Sequence, residues 1–204
     1  MRGHPEEALR SYDESPALRR HVAHLEMQLR TIEAETRQLT VRWQGIARKN
    51  AALTNLYVAV HQLHGTLVRA EVVEALLEIV VGLIGSEAVA VFERVDDGAF
   101  HVIASIGAGA DDVSADDSLG RLLASGVRYV AGEPHALAGE LAMPVAAALP
   151  LCIDGRVTGG IVIFSLLAQK SGFDDIDYEL FDVLSTHAAL ALHRTSALGA
   201  EVTA

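Results

Sequence analysis

A strict seven-residue repeat constrains this chain more than any other feature. Leu18, Leu25, Ile32, Leu39, Ile46, Leu53 and Val60 recur at that interval, and every one is apolar. A second column, Val22, Leu29, Thr36, Trp43, Asn50 and Tyr57, follows four residues behind the first. Placed at the d and a positions of a heptad, the columns form a narrow seam flanked by Arg19, Arg20, Gln28, Arg30, Glu33, Glu35, Arg37 and Gln38. A helix resting on a globular core follows a 3.6-residue period and shows a wider apolar stripe. A strict period of seven predicts a left-handed coiled coil. Leucine at d with Val22 and Leu29 at a predicts two parallel strands, hence a homodimer over residues 16–60. At 1.5 Å per residue, an unpaired seam would leave an apolar column wet along about 60 to 65 Å of helix.

The middle of this rod is its weak part. Thr36 and Trp43 are poor a residues, and Gly45 costs about 1 kcal/mol against alanine in a helix interior. Asn50 allows two readings. Paired asparagines at a hold a parallel dimer in register; alternatively Arg48-Lys49-Asn50 marks the end of the coil. Ahead of the seam, residues 1–15 contain Gly3, Pro5, Ser11 and Ser15 and are expected to be a flexible tail. Ser15-Pro16 supplies an N-cap and a first-turn proline.

Beyond the seam the composition changes. Residues 1–60 carry a net charge of +2 and residues 61–204 one of −13. The acidic part repels phosphate backbones and anionic lipid, which argues against nucleic acid as a partner. No apolar run is long enough to cross a bilayer, so no membrane insertion is expected. The polar start lacks a signal-peptide core. Cys152, the one cysteine, excludes an internal disulfide framework, and a reducing cytoplasm is the simplest location.

Residues 69–84 read as a second, largely apolar helix with Gly85 as its C-cap. Residues 87–95 and 99–106 read as a hairpin turning at Asp96-Asp97-Gly98. A small-residue acidic loop follows (107–117), then a short helix (118–126), a short strand (127–130) and a loop (132–143). Residues 144–153 and 156–166 form a second hairpin around Asp154-Gly155. Gly160-Ile-Val-Ile-Phe164 has no polar member, which predicts a central strand covered on both faces. Residues 173–198 close the chain as a helix, leaving 199–204 as a flexible tail. The order predicts an α+β fold with an antiparallel sheet and packed helices, preceded by the long coiled-coil helix.

Three stretches resemble the GAF domain family: Val72-Val-Glu-Ala-Leu-Leu-Glu-Ile-Val with Ala88-Val-Ala-Val-Phe-Glu; the hairpin from Leu149 to Phe164; and the helix from Phe173 to Leu192. The resemblance covers residues 55–198. It implies a sheet with helices on one side and a ligand pocket on the other. It also implies a module that binds cyclic nucleotides, haem, bilins or other small molecules, or that binds nothing and serves dimerisation. Terminal helices of the family pass signals through coiled coils. The expected function is a non-catalytic signal-transduction protein: a small-molecule sensor or regulatory module coupled to the dimeric coil, with another signalling protein as partner. The alternative is a ligand-free adaptor. The resemblance leaves the ligand and any cofactor unassigned.

Candidate site residues meet plain structural readings. Cyclic-nucleotide members carry an Asn-Lys pair and Phe-x-x-x-Asp-Glu. Here Phe173 to Asp177 fits, Tyr178 replaces the glutamate, and Asn50 and Asn55 both lie in the coil region. Asp174, Asp175 and Asp177 are better explained as helix-capping acids. Cys152 reads as a buried, inert thiol. GAF-type methionine sulfoxide reductases need more than one cysteine, so that activity is not expected. His21/His24 and His61/His64 have helical spacing but lack matching acid or thiol partners, and His101, His135, His187 and His193 are scattered. No metal site and no catalytic group are expected.

Overall fold

A computed structural model describes residues 16–134 and 141–202. The tail expected at 1–15, Ser15 as a cap, His135 and residues 203–204 lie outside them. The chain divides into two compact units, Met1–Ala51 and Ala52–Ala204.

Helix α1 spans Pro16–Gly65. Leu18, Val22, Leu25, Leu29, Ile32, Leu39, Trp43, Ile46, Leu53 and Tyr57 are all exposed on it, at 42 to 73%. Asn50 is exposed and Val60 half-buried. Thr36 suits an apolar seam better than its side chain suggests, because its hydroxyl donates to the Ile32 carbonyl at 2.8 Å and is satisfied within the helix.

The second unit is a five-stranded sheet in the order β2-β1-β5-β4-β3, antiparallel at every ladder. Its elements are α2 (Arg69–Ile79), a π-helical turn (Val80–Ile84), β1 (Ser86–Arg94), β2 (Phe100–Ile106), α3 (Ser118–Ala124), β3 (Tyr129–Val130), β4 (Ala147–Ile153), β5 (Arg156–Leu166) and α4 (Asp175–Val202). The helix expected over 69–84 therefore changes type in its last turn, which Gly85 ends in the left-handed conformation at φ 75°. Asp154 and Gly155 both have positive φ, the geometry that joins β4 and β5 in a tight hairpin. The closing helix reaches Val202, past the boundary expected at 198.

β5 is the central strand, with residues 159–163 buried. Alternation along the strands separates two cores. On one face Val89, Val91, Leu149, Leu151, Ile161 and Ile163 pack with Leu76 and Val80 and with Phe181, Leu184 and Ala188 of α4. The last turns of α1 join them through buried Ala59 and Leu63, with Leu56 alongside. These last turns thus belong to the globular core as well as to the repeat.

The other face is not free of helix, as the family resemblance implied. α3 covers it, and Leu119, Leu122 and Leu123 pack with Phe92, Phe100, Ala148 and Val162. Gly160 makes this possible: a Cβ there would stand 2.5 Å from Leu123 Cδ2. The acidic loop serves the fold. Val113 exchanges two backbone hydrogen bonds of 2.8 Å with Phe100, and Asp112 Oδ1 accepts the Val102 N–H at 2.8 Å. Both cover part of the outer edge of β2, which a bare edge strand would leave open to pairing.

Candidate functional site

The ligand side expected for this chain is the face under α3. Most of it is filled with side chains, but a cleft of about 580 Å³ remains beside β3 and the segment leading into β4. Tyr129, Leu141, Met143, Val145 and Phe164 line it, and its described lining carries no charged side chain. A lining of this composition would suit apolar or weakly polar surface rather than charge. Among the described residues it offers no cationic side chain to a phosphate.

The Phe-x-x-x-Asp segment lies elsewhere, at the start of α4, and is structural. Asp174 Oδ1 accepts the backbone N–H of Ile176 at 3.0 Å and of Asp177 at 3.1 Å, while Asp177 Oδ2 accepts the N–H of Asp174 at 2.8 Å. This is a reciprocal capping box. Asp177 also pairs with Lys170 Nζ at 2.7 Å, and the same ammonium donates to the Ile84 carbonyl at the end of the π-helical turn. Phe173 stacks edge-on against Phe181, with centroids 5.0 Å apart. Lys170 carries no local signal in the sequence, because a lysine in a polar loop is unexceptional.

Tyr178, at the position of the missing glutamate, ties β3's flank to α4. Its hydroxyl donates to Glu133 Oε1 at 2.7 Å, and the Arg128 guanidinium lies 5.1 Å over its ring while pairing with Asp182 at 2.6 Å. The hydrogen bond to Glu133, followed by burial, pushes the phenol pKa up.

Cys152 is half-buried rather than fully covered. It sits between Leu151 and Ile153, which both pack on the helical face. Burial pushes its thiol pKa up, which lowers the thiolate fraction. Native protein is therefore expected to react with a thiol reagent markedly more slowly than urea-unfolded protein. Cys152→Ser puts a hydroxyl in place of a weakly polar thiol at a half-buried position and should cost about 0.5 to 3 kcal/mol. Equal labelling rates in the two states would show a reactive group.

The histidines regroup. His101 Nδ1 lies 3.5 Å from Asp112 Oδ2, both exposed. His64 pairs not with His61 but with His187, 123 residues away, at 2.9 Å between Nε2 and Nδ1. Burial first, then the charges of His187 and Arg194, lower the His64 pKa, so its neutral form is favoured. Among the described residues no three His, Cys, Asp or Glu side chains come together around a metal-sized space, and no helix is long and apolar enough to cross a membrane.

Comparison with known proteins agrees with this architecture. No curated protein matches the chain. The GAF domain of Acinetobacter phosphoenolpyruvate-protein phosphotransferase superposes with a TM-score of 0.58, at 14% identity over 72% of this chain and 96% of that one. The GAF domain of a sensor histidine kinase of Pseudomonas syringae pv. tomato gives 0.57, at 18% identity over 79% and 97%. Free methionine-R-sulfoxide reductase of Neisseria meningitidis gives 0.51, at 17% identity over 72% and 89%. At such identities these structures speak for the fold. The GAF domain family model matches residues 69–194, from the first residue of α2 deep into α4, and the chain belongs to that family.

Proposed function

We propose that this protein is a non-catalytic, cytoplasmic signal-transduction module: a GAF domain that senses a small molecule and acts through a parallel homodimeric coiled coil. One observation carries the reading. The single helix α1 presents an exposed seam at heptad spacing, while its own last turns place Ala59 and Leu63 in the domain core. A shift of the core can therefore bias the geometry of a helix whose other stripe awaits a partner. One similar GAF domain comes from a sensor histidine kinase and another from a phosphoenolpyruvate-protein phosphotransferase, which supports a signalling role. The described lining of the cleft beside β3 carries no charged side chain, which favours an apolar ligand over a cyclic nucleotide. The thiol chemistry of the sulfoxide reductase has one cysteine here to draw on, with its pKa pushed up.

The adaptor reading has its own support in the filled core under α3. Native mass spectrometry of the full chain separates the two. The sensor reading expects a dimer of the 21.7 kDa chain with a small bound mass. A dimer with no added mass, from any growth condition of its host, would favour the adaptor. A chain that stays monomeric at high micromolar concentration sinks the coiled-coil part of both.

A further inference from the structure

We propose that His64 and His187 form one half of a divalent transition-metal site, completed by the same two residues of a second copy of this chain. The inference rests on the parallel homodimer proposed above. His64 stands seven residues after Tyr57, so it occupies the next a position of the repeat. In a parallel coil the a residues of the two copies face each other across the axis. The side of α1 that enters its own domain core is the one carrying Leu56, Ala59 and Leu63. His64 is left half-buried beside that core, and α4 meets it with His187.

The geometry of the pair suits a shared metal. His64 Nε2 and His187 Nδ1 are 2.9 Å apart, and the rings meet at 78° with centroids 5.2 Å apart. Two nitrogens held at ~2.0 to 2.1 Å on a tetrahedral zinc are about 3.3 to 3.4 Å apart, so binding needs the pair to open by a few tenths of an ångström, the two rings to turn until both lone pairs converge on the metal, and the shared N–H proton to move to the other nitrogen of its ring. One chain supplies two ligands, too few for a closed site. The two-fold operation makes four imidazoles, the number a tetrahedral structural zinc takes. Imidazole ligands select zinc, copper or nickel over magnesium or calcium.

The surroundings fit a site that closes on association. Tyr57 and Leu67 near the end of α1, and Leu190 one turn beyond His187, are exposed large apolar side chains that the domain core does not use. Burying them against a second copy would remove water from the histidines.

The test uses the untagged, full-length chain stripped of metal with a chelator and titrated with zinc, with magnesium as control. Bound zinc is read by calorimetry and elemental analysis, and self-association by sedimentation equilibrium. The expected result is one zinc per two chains and no magnesium uptake. With free zinc at 100 times its Kd, linkage predicts a dimer tightened roughly 100-fold. His64→Ala and His187→Ala should each abolish the uptake and the tightening; because His64 lies in the seam, each variant's response to zinc is scored against its own metal-free dimer, His187→Ala, outside the repeat, should keep the metal-free association, and His24→Ala should change nothing. A metal-free dimer that takes up no zinc overturns the site and leaves the dimer reading standing. One zinc per chain, or uptake indifferent to His64→Ala and His187→Ala, also overturns it. A chain monomeric with and without zinc removes the dimer reading and the site together.

Discussion

Replacing Asp177 with alanine is expected to cost about 3 to 4 kcal/mol of folding stability, toward the lower end for breaking a buried ion pair. The carboxylate has a side-chain exposure of 3% and three attachments: the Lys170 ammonium at 2.7 Å, the Asp174 N–H at 2.8 Å and, through Lys170, the Ile84 carbonyl. Alanine deletes the reciprocal half of the capping box, a loss of about 1 kcal/mol, and leaves Lys170 with the Ile84 carbonyl and the face of Phe173, 5.9 Å from its ring centroid, but no counter-charge. Lys170 is 23% exposed and can swing toward water, which moderates the penalty. For a unit of this size 3 kcal/mol lowers Tm by about 6 to 12 °C. Asp175→Ala is the internal control. Its side chain is exposed, and its removal should stay within about 0.5 kcal/mol. Urea unfolding of Asp177→Ala, Lys170→Met and the double variant gives the coupling. The double variant should be less destabilised than the sum of the singles by more than about 1 kcal/mol. Strict additivity would mean that the pair contributes nothing beyond its separate groups.

That comparison also shows which parts of the fold were legible in sequence. Asp174, Asp175 and Asp177 read alike as helix-capping acids, and only the backbone geometry separates the reciprocal pair from the bystander. Features set by local period or local turn chemistry were readable: the heptad columns, the Asp154-Gly155 turn, and the central strand in Gly160-Ile-Val-Ile-Phe164. Features set by long-range contact were not. His64 and His187 lie on different helices, each with an unremarkable neighbourhood, and nothing local joins them. α3 covers the second face because Gly160 leaves room for Leu123, a complementarity between two residues far apart in the chain. One missed feature did leave a trace. Ala52, Leu56, Ala59 and Leu63 repeat with steps of four and three, a second stripe beside the seam that begins where the globular unit begins. It was masked because Leu53, Tyr57 and Val60 continue the first stripe over the same turns. A chain cut at residue 66 would lose buried Ala59 and Leu63, so it would confound the loss of the seam with damage to the core.

The seam itself is better tested by point changes away from the domain. Leu39→Asp with Ile46→Asp is expected to abolish the dimer, with the dissociation constant rising by more than about a thousandfold. Both residues are exposed d positions within the first compact unit, so neither supports the core of the second. In a parallel pair each d residue meets its counterpart, and the double change places four carboxylates in the seam. Losing the burial of a Leu or Ile side chain costs about 1.5 to 3 kcal/mol each, and four of them exceed the ~4.1 kcal/mol that a thousandfold change requires. Repulsion between facing carboxylates adds to this. The measurement is sedimentation equilibrium of both proteins, with thermal unfolding followed by the exposure of Cys152, on β4, to a thiol reagent as the control on the domain. The domain transition should shift by no more than the loss of dimer linkage predicts, since a subunit partner stabilises only by mass action. Asn50→Leu should act in the opposite direction, tightening the dimer while loosening its register, because it replaces the polar pair that penalises a slipped or antiparallel arrangement. Cysteine cross-linking at positions 46 and 53 reads that register directly: same-position cross-links should dominate with Asn50 and give way to mixed ones with leucine. An association constant unmoved by two aspartates in the seam would mean that the exposed column on α1 meets something other than its own copy.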